Sequence, residues 1–461
     1  MPIRPPAIDV LFLSWRDASH PEGGGSERYV HRMAEGLAAR GLRVELFCAA
    51  HDRAPAEEIV RGVRVVRRGG RLGVYARALI RVALRRPGVV VDVQNGLPFF
   101  SRLVSRSVVV LVHHVHREQW PIVFGRLGGA IGWWIESVLS PRLYRRCRYV
   151  TVSGATADEL VELGVGRDRI AIVPNGVEPA PEVAHGRSAT PRLVVLGRLV
   201  PHKRVEHAVE VLARLRPRWP ELRLDVVGEG WWDEKLREQV AELGVADAVT
   251  FHGYVDEPVK HGLLARAWVH LCPSVKEGWG LAVSEAGSHG VPTVGYRAAG
   301  GLRESVLDGR TGVLVDDLDE LTAAVDGLLG DPAGREGMGE AAERHAASLT
   351  WPASVDAFAS TVLPTLRGSA AVAVPEDLEG RGVGVGGAAA LLERVVRVGD
   401  GRGPGDRRDA EHGTDGEGDQ RSHERLHSLT RFPRGRRRAG TVDADLMIHN
   451  AEPSTAPAAR A

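Results

Sequence analysis

Residues 1–175 contain no lysine, and the whole 461-residue chain has only three cysteines and 5% aromatic residues. Each scarcity removes a class of protein. Cys48, Cys147 and Cys272 stand far apart, without a Cys-x-x-Cys or a histidine at ligand spacing, which argues against both a disulfide framework and a zinc module. Cys48 and Cys272 end apolar, strand-like runs and read as small core residues in a reducing cytosol. No stretch makes a clean transmembrane span: the best, residues 122–139, contains Arg126, Glu136 and several glycines. A secretory signal is also missing, because Met1 to Arg4 lead through a polar stretch into an apolar run at 8–13. These absences predict a cytoplasmic protein.

Composition is otherwise that of a soluble protein, 43% hydrophobic and 26% charged, and the length allows two or three domains. Net charge is +1, but the sum hides an asymmetry. Residues 1–175 carry 26 arginines against 16 acids, or +10, whereas 176–350 carry 19 bases against 27 acids, or −8. The basic half lacks interleaved aromatics and any binding module for nucleic acid, so nucleic acid is not an expected partner. An anionic acceptor or an anionic membrane surface suits it better.

Short apolar runs alternate with amphipathic stretches from end to end, the pattern of parallel α/β units. Runs at 8–13, 43–49, 63–67, 89–93 and 108–112 read as strands of a first Rossmann-like sheet, with 108–112 at its centre. The pattern restarts at 192–196 and continues through 223–227, 249–252, 268–272 and 293–295. Two domains follow, 1–175 and 176–351, facing each other across a cleft. From about Gly368 to 461, periodicity and aromatics fade, and a disordered low-complexity tail is expected.

The chemistry concentrates between residues 275 and 294, VKEGWGLAVSEAGSHGVPTV. Glu277 lies in a loop after a strand. Gly278 and Gly280 let the backbone approach a ligand closely, and the amides of Gly280, Leu281 and Ala282 open a helix whose N-terminus suits anionic oxygen such as a diphosphate. Glu285, inside that helix, can accept two hydroxyl hydrogen bonds from a ribose.

This stretch resembles the E-x7-E signature of the retaining glycosyltransferases of family 4, which have the two-domain GT-B fold. The segment 194–204, VVLGRLVPHKR, looks like that family's strand-loop carrying an Arg and a Lys for the donor phosphates, here Arg198 and Lys203. Lesser matches come in family order: the Gly23-Gly24-Gly25-Ser26-Glu27 loop, SGATADEL at 153–160 and PNGVE at 174–178. The family often has glycine where Arg204 stands, and phenylalanine is commoner than Trp279; neither change removes a ligand group.

The resemblance implies transfer of a sugar from a nucleotide-diphosphate sugar to a hydroxyl of a glycan, lipid-linked or small-molecule acceptor, with retention of anomeric configuration. Glu277 would hold the sugar, Arg198 and Lys203 the leaving phosphates, and Gly24 and Gly25 a side of the donor site. Backbone around His252, Gly253 and Tyr254 would meet the base. The family also places a histidine in the cleft at the end of the strand that here closes with His113, and His114 and His116 crowd that position. A return helix, 352–366, would cross back to the first domain. No metal or other cofactor is expected, because Arg198, Lys203 and helix amides supply the charge and no Asp-x-Asp stands in a suitable strand context. A nucleotide-sugar epimerase of the same fold, or a silent nucleotide-sugar-binding partner, are the alternatives.

One more pattern invites a reading. Arg77, Arg81 and Arg85 recur every four residues in the helical stretch 72–86, opposite an apolar stripe of Leu72, Tyr75, Leu79 and Val82. This is either a core-packed helix with a solvated basic face or a surface that docks on anionic lipid beside a lipid-linked acceptor.

Overall fold

The computed structural model describes residues 7–181 and 186–367. The first sheet comprises β1 (Val10–Leu13), β2 (Val44–Cys48), β3 (Glu57–Val60), β4 (Val63–Arg67), β5 (Val89–Gln94), β6 (Val108–Val112), β7 (Arg148–Thr151) and β8 (Ile170–Ile172). Their spatial order is β3-β4-β2-β1-β5-β6-β7-β8, parallel throughout except for the antiparallel edge strand β3. The second sheet contains β9 (Arg192–Leu196), β10 (Arg223–Val227), β11 (Val249–Gly253), β12 (Val269–Cys272), β13 (Thr293–Tyr296) and β14 (Gly312–Val315), in the order β11-β10-β9-β12-β13-β14. The inner strands of both sheets are apolar runs, mostly valine and leucine, buried on two faces, as parallel strands covered by crossover helices require.

The helices of the first domain are α1 (Gly25–Ala39), α2 (Gly73–Arg85), α3 (Gln119–Trp134), α4 (Ser140–Leu143) and α5 (Gly154–Glu162). The second has α6 (Val205–Leu215), α7 (Asp233–Glu242), α8 (Glu257–Arg266), α9 (Leu281–Gly287), α10 (Leu302–Ser305), α11 (Leu318–Gly330) and α12 (Pro332–Ser348), and α13 (Trp351–Arg367) closes the described chain. The first sheet is sandwiched. Val10, Phe12, Val91 and Leu111 meet α1 and α13 on one face, and Leu11, Leu13, Val90 and Val110 meet α2 and the end of α3 on the other. In α13, Val355, Phe358, Ala359, Val362 and Leu366 join the first sheet's core, although the helix follows the second sheet in sequence. Their i, i+3, i+4, i+7 spacing is the stripe that makes this return possible.

Strand order fixes where ligands can sit. From β1 the chain winds outward through β2 to one side and β5 to the other; from β9 it does the same through β10 and β12. Open α/β sheets bind ligands at such switch points, outside the carboxyl ends of the strands.

Three expectations need correction. Residues 108–112 form β6, two strands from the edge; β1 and β5 hold the centre, because the winding starts there. On α2 the buried stripe is Val74, Ala78 and Val82, while Leu72 is 77% exposed, since Leu72 caps the helix rather than lying on its inner face. The basic face is also not wholly free: its middle arginine, Arg81, is paired with buried Glu45 of β2. Before the helix, Arg64 and Arg68 pair with Glu57, and Arg67 with Asp17 and Glu58. The proposed tail, 368–461, lies outside the described residues.

Candidate active site

The carboxyl ends of β9 and β12 put two distant motifs side by side. After β9 the chain turns through Gly197 and Arg198 into a single 3-10 turn, Pro201–Lys203; after β12 it passes Ser274 to the loop holding Glu277. The amide of Val275 donates to the His202 carbonyl at 2.8 Å, tying the loops together. Lys203 Nζ thereby lies 2.5 Å from Glu277 Oε1, and the same oxygen accepts from Ser274 Oγ at 2.7 Å. Burial would raise the Glu277 carboxyl, but Lys203 and the Ser274 hydroxyl more than offset it and hold the group ionised below its ordinary value.

Gly278 passes so close to the first domain that a Cβ there would lie 2.3 Å from the His113 carbonyl oxygen. Gly280, at φ 93°, takes the left-handed turn that starts α9, a conformation other residues adopt only at a cost. Leu281 and Ala282 are half-buried at the start of α9, and Leu281 lies against Gly25 of the first domain. Glu285, four residues into α9, is 14% exposed and bound by Arg28 of α1 at 2.6 Å and Lys260 of α8 at 2.8 Å. Arg28 also reaches Glu257 at 2.7 Å. Gly253 ends β11; the next amide, Tyr254, donates to Glu229 at 3.1 Å.

Arg198 differs from its neighbours. It is exposed and makes no hydrogen bond or ion pair with a described residue, yet the Gly24 and Glu27 end of α1 faces it. Crowding by the surrounding protein, although the side chain still meets solvent, and the nearby Arg16 draw the guanidinium below its ordinary value. Gly24 caps α1 with its amide donating to Glu27 Oε2 at 2.8 Å, and Arg16 lies 3.4 Å from the other carboxylate oxygen.

The three histidines after β6 separate in role. His113 is buried edge-on to Tyr29, ring centroids 5.3 Å apart, and neither ring nitrogen has a partner. Burial depresses it to about 4, so it is neutral near pH 7. His114 meets Gln119. His116 is held by the buried carboxylate Glu136, 3.0 Å from Nδ1, which also accepts the Trp120 indole N–H at 2.6 Å. Glu136 sits in a π-helical turn, Ile135–Leu139, and the extra residue per turn rotates it inward.

Arg28, Lys260, Glu257 and Arg16 carry no motif of their own, and sequence reading did not single them out; it met Glu136 only as a charge interrupting an apolar run. Nor did it single out Glu304, whose carboxylate accepts the Gly154 and Ala155 amides at the start of α5, both at 2.9 Å.

Two Rossmann-like sheets with paired carboxylates and cations at the strand ends between them define a GT-B glycosyltransferase. The family model described as "Glycosyl transferases group 1" matches residues 183–345, and "Glycosyltransferase Family 4" matches 23–181. A glycogen synthase of Mycobacterium tuberculosis is 30% identical over 399 residues, covering 78% of this chain and 95% of the relative. A GDP-mannose-dependent alpha-(1-6)-phosphatidylinositol monomannoside mannosyltransferase of Mycolicibacterium smegmatis is 37% identical over 267 residues, 55% of this chain and 69% of that one. Among solved structures, a sucrose-phosphate synthase from Thermosynechococcus elongatus superposes with a TM-score of 0.66 at 19% identity, covering 78% of this chain and 99% of that one. The chain belongs to the family 4 glycosyltransferases. None of these relatives is an epimerase.

Proposed function

We propose that the protein moves a sugar from a nucleoside-diphosphate sugar to an acceptor hydroxyl with retention, at the cytoplasmic face of a membrane and on a lipid-linked acceptor. The observation that carries this reading is the convergence of Glu277, Lys203, Glu285 and unpaired Arg198 at the switch point of β9 and β12. On donor binding, Lys203 turns from Glu277 to the diphosphate beside Arg198, and the amides of Gly280 to Ala282 face the same oxygens. Glu277 is then free to accept hydrogen bonds from sugar hydroxyls, and Glu285 exchanges Arg28 N–H donors for ribose hydroxyls.

As the bond from the anomeric carbon to the phosphate oxygen breaks, its electron pair leaves on the diphosphate, where these cations and amides stabilise it. The acceptor oxygen bonds the same face of that carbon and passes its proton to the departing phosphate oxygen. Neutral His113, with both nitrogens unsatisfied, would hydrogen-bond the reacting groups. Charge compensation comes from the chain, so transfer should persist in EDTA. The lipid-linked acceptor is supported by the mannosyltransferase relative, whose name specifies a phosphatidylinositol-based acceptor.

Thermal shift with UDP-, GDP-, ADP- and TDP-sugars tests the donor, because a ligand that binds only the folded state raises the melting temperature. Product NMR then reads the anomeric configuration. Stabilisation by no nucleotide sugar, or inversion in the product, would overturn the reading.

A further inference from the structure

We infer that α3 is a membrane-docking helix: its outer face lies in the interface of an anionic bilayer and holds the cleft over lipid. This deepens the lipid-linked acceptor reading and rests on it. Through the π-helical turn, α3 and α4 join into one helical run, Gln119–Leu143, the single stretch among the described residues long and apolar enough by length and composition to cross a membrane. Only 17% of its most apolar 18-residue window is buried. Ile122, Val123 and Phe124 are half-exposed before a kink at Gly125. Beyond the kink Leu127, Ile131 and Trp134, 78%, 54% and 53% exposed, recur at i, i+4 and i+7 on one face. The opposite face carries Gly129, Gly132, Glu136 and Ser140, all buried.

A spanning helix does not fit. A Cβ on Gly132 would lie 2.2 Å from the Trp120 ring, and Glu136 binds Trp120 and His116, so the inner face is keyed into the domain and cannot be withdrawn without unsatisfying a buried carboxylate. An amphipathic run that is apolar outside and locked inside is suited to the plane of the interface. Charge names the lipid. Arg117, Arg126, Arg142, Arg145, Arg146 and Arg148 are all exposed in or beside this run, against one exposed acid, Glu118. Pairing with a second copy through the same face would set these arginines against each other. On the same side of the first sheet, α2 exposes Ile80 and Leu84 as well.

The test is flotation of the full chain with vesicles of phosphatidylcholine alone or with phosphatidylglycerol. Binding should need the anionic lipid, fall with salt, and drop at least about tenfold in Leu127→Asp with Ile131→Asp, and again in Arg126→Glu with Arg145→Glu. Ile59→Asp, exposed on the edge strand β3, should bind as the parent does. Thermal shift by nucleotide sugar, unchanged in every variant, shows that the fold and donor site are intact. Donor binding without any vesicle binding by the parent would overturn the docking inference and leave the transferase reading standing. Retention on vesicles after alkaline carbonate would show a spanning helix instead. A dimer dispersed by Leu127→Asp in light scattering, with no lipid binding, would assign the face to self-association.

Discussion

The two sheets use the same winding to different ends. At the switch point of the second sheet, the candidate site groups come from two short local motifs, and the carboxylates arrive compensated, Lys203 on Glu277, Arg28 and Lys260 on Glu285, while Arg198 stays unpaired. At the corresponding end of the first sheet stands a neutral, unpartnered histidine, His113, and the surface beyond it is apolar and rimmed with arginine. A diphosphate is small, rigid and doubly charged, so under the proposed reading a strand end, a helix start and two cations would be enough to recognise it. An acceptor is recognised by whatever surface the rest of the domain builds. The donor side is therefore written locally, and the acceptor side is spread along the chain.

The largest test of this contrast is Glu277→Gln. If the carboxylate acts at the reacting sugar, turnover should fall at least about a hundredfold with the far-ultraviolet dichroism unchanged. Near-normal turnover would remove it from the chemistry. Next comes Arg198→Ala with Lys203→Ala, expected to weaken donor affinity by about tenfold or more in titration calorimetry, since each cation loses a charge-assisted contact to phosphate. Unchanged affinity would break the assignment of these strand ends to the diphosphate.

Glu285→Gln should act on binding more than on the chemical step, raising the donor KM by about tenfold while kcat changes less. An equal fall in both would place Glu285 at the sugar instead of the ribose. The change also leaves Arg28 and Lys260 without their shared partner, so its melting curve should be recorded beside the kinetics.

The smallest effect compares the two cores through pH. Burial depresses His113 in the first domain and His270 in the second to about 4. In the unfolded chain each titrates near 6.5, so between about 6.5 and 4 the unfolded state binds more protons and stability is lost as pH falls. Each contributes up to about 1.4 kcal/mol per pH unit in that window and nothing above it. His270→Gln and His113→Gln should each flatten the fall in melting temperature, measured by calorimetry between pH 7 and 4.5. Equal slopes in parent and variants would mean that these rings do not stay neutral in the fold.

Much of the architecture was open to sequence reading because burial on two faces leaves a plain mark. The second sheet's first two strands, Arg192–Leu196 and Arg223–Val227, lie where their apolar runs place them. The edge strand β3 escaped because its EEIV sequence alternates exposed and half-buried positions and has no apolar run. The basic face of α2 misled for a related reason: a sequence counts charges along one segment, whereas Glu45 reaches Arg81 from the neighbouring strand β2. The run 122–139 was set aside for Arg126 and Glu136, and only the fold shows that Glu136 turns inward while Arg126 stays outside.

By itself the sequence determined the α/β alternation, the family and the candidate donor motifs, because strand periodicity and glycine-bounded loops are short-range properties written within some twenty residues. Tertiary structure alone decided that Arg28 and Lys260 meet at Glu285, that Glu136 holds His116, and that α3 leaves its apolar side uncovered. Those pairings join residues up to 257 positions apart, as Arg28 and Glu285 are. No local pattern encodes such a contact; it exists only because two sheets wind toward a shared cleft and bring their strand ends together.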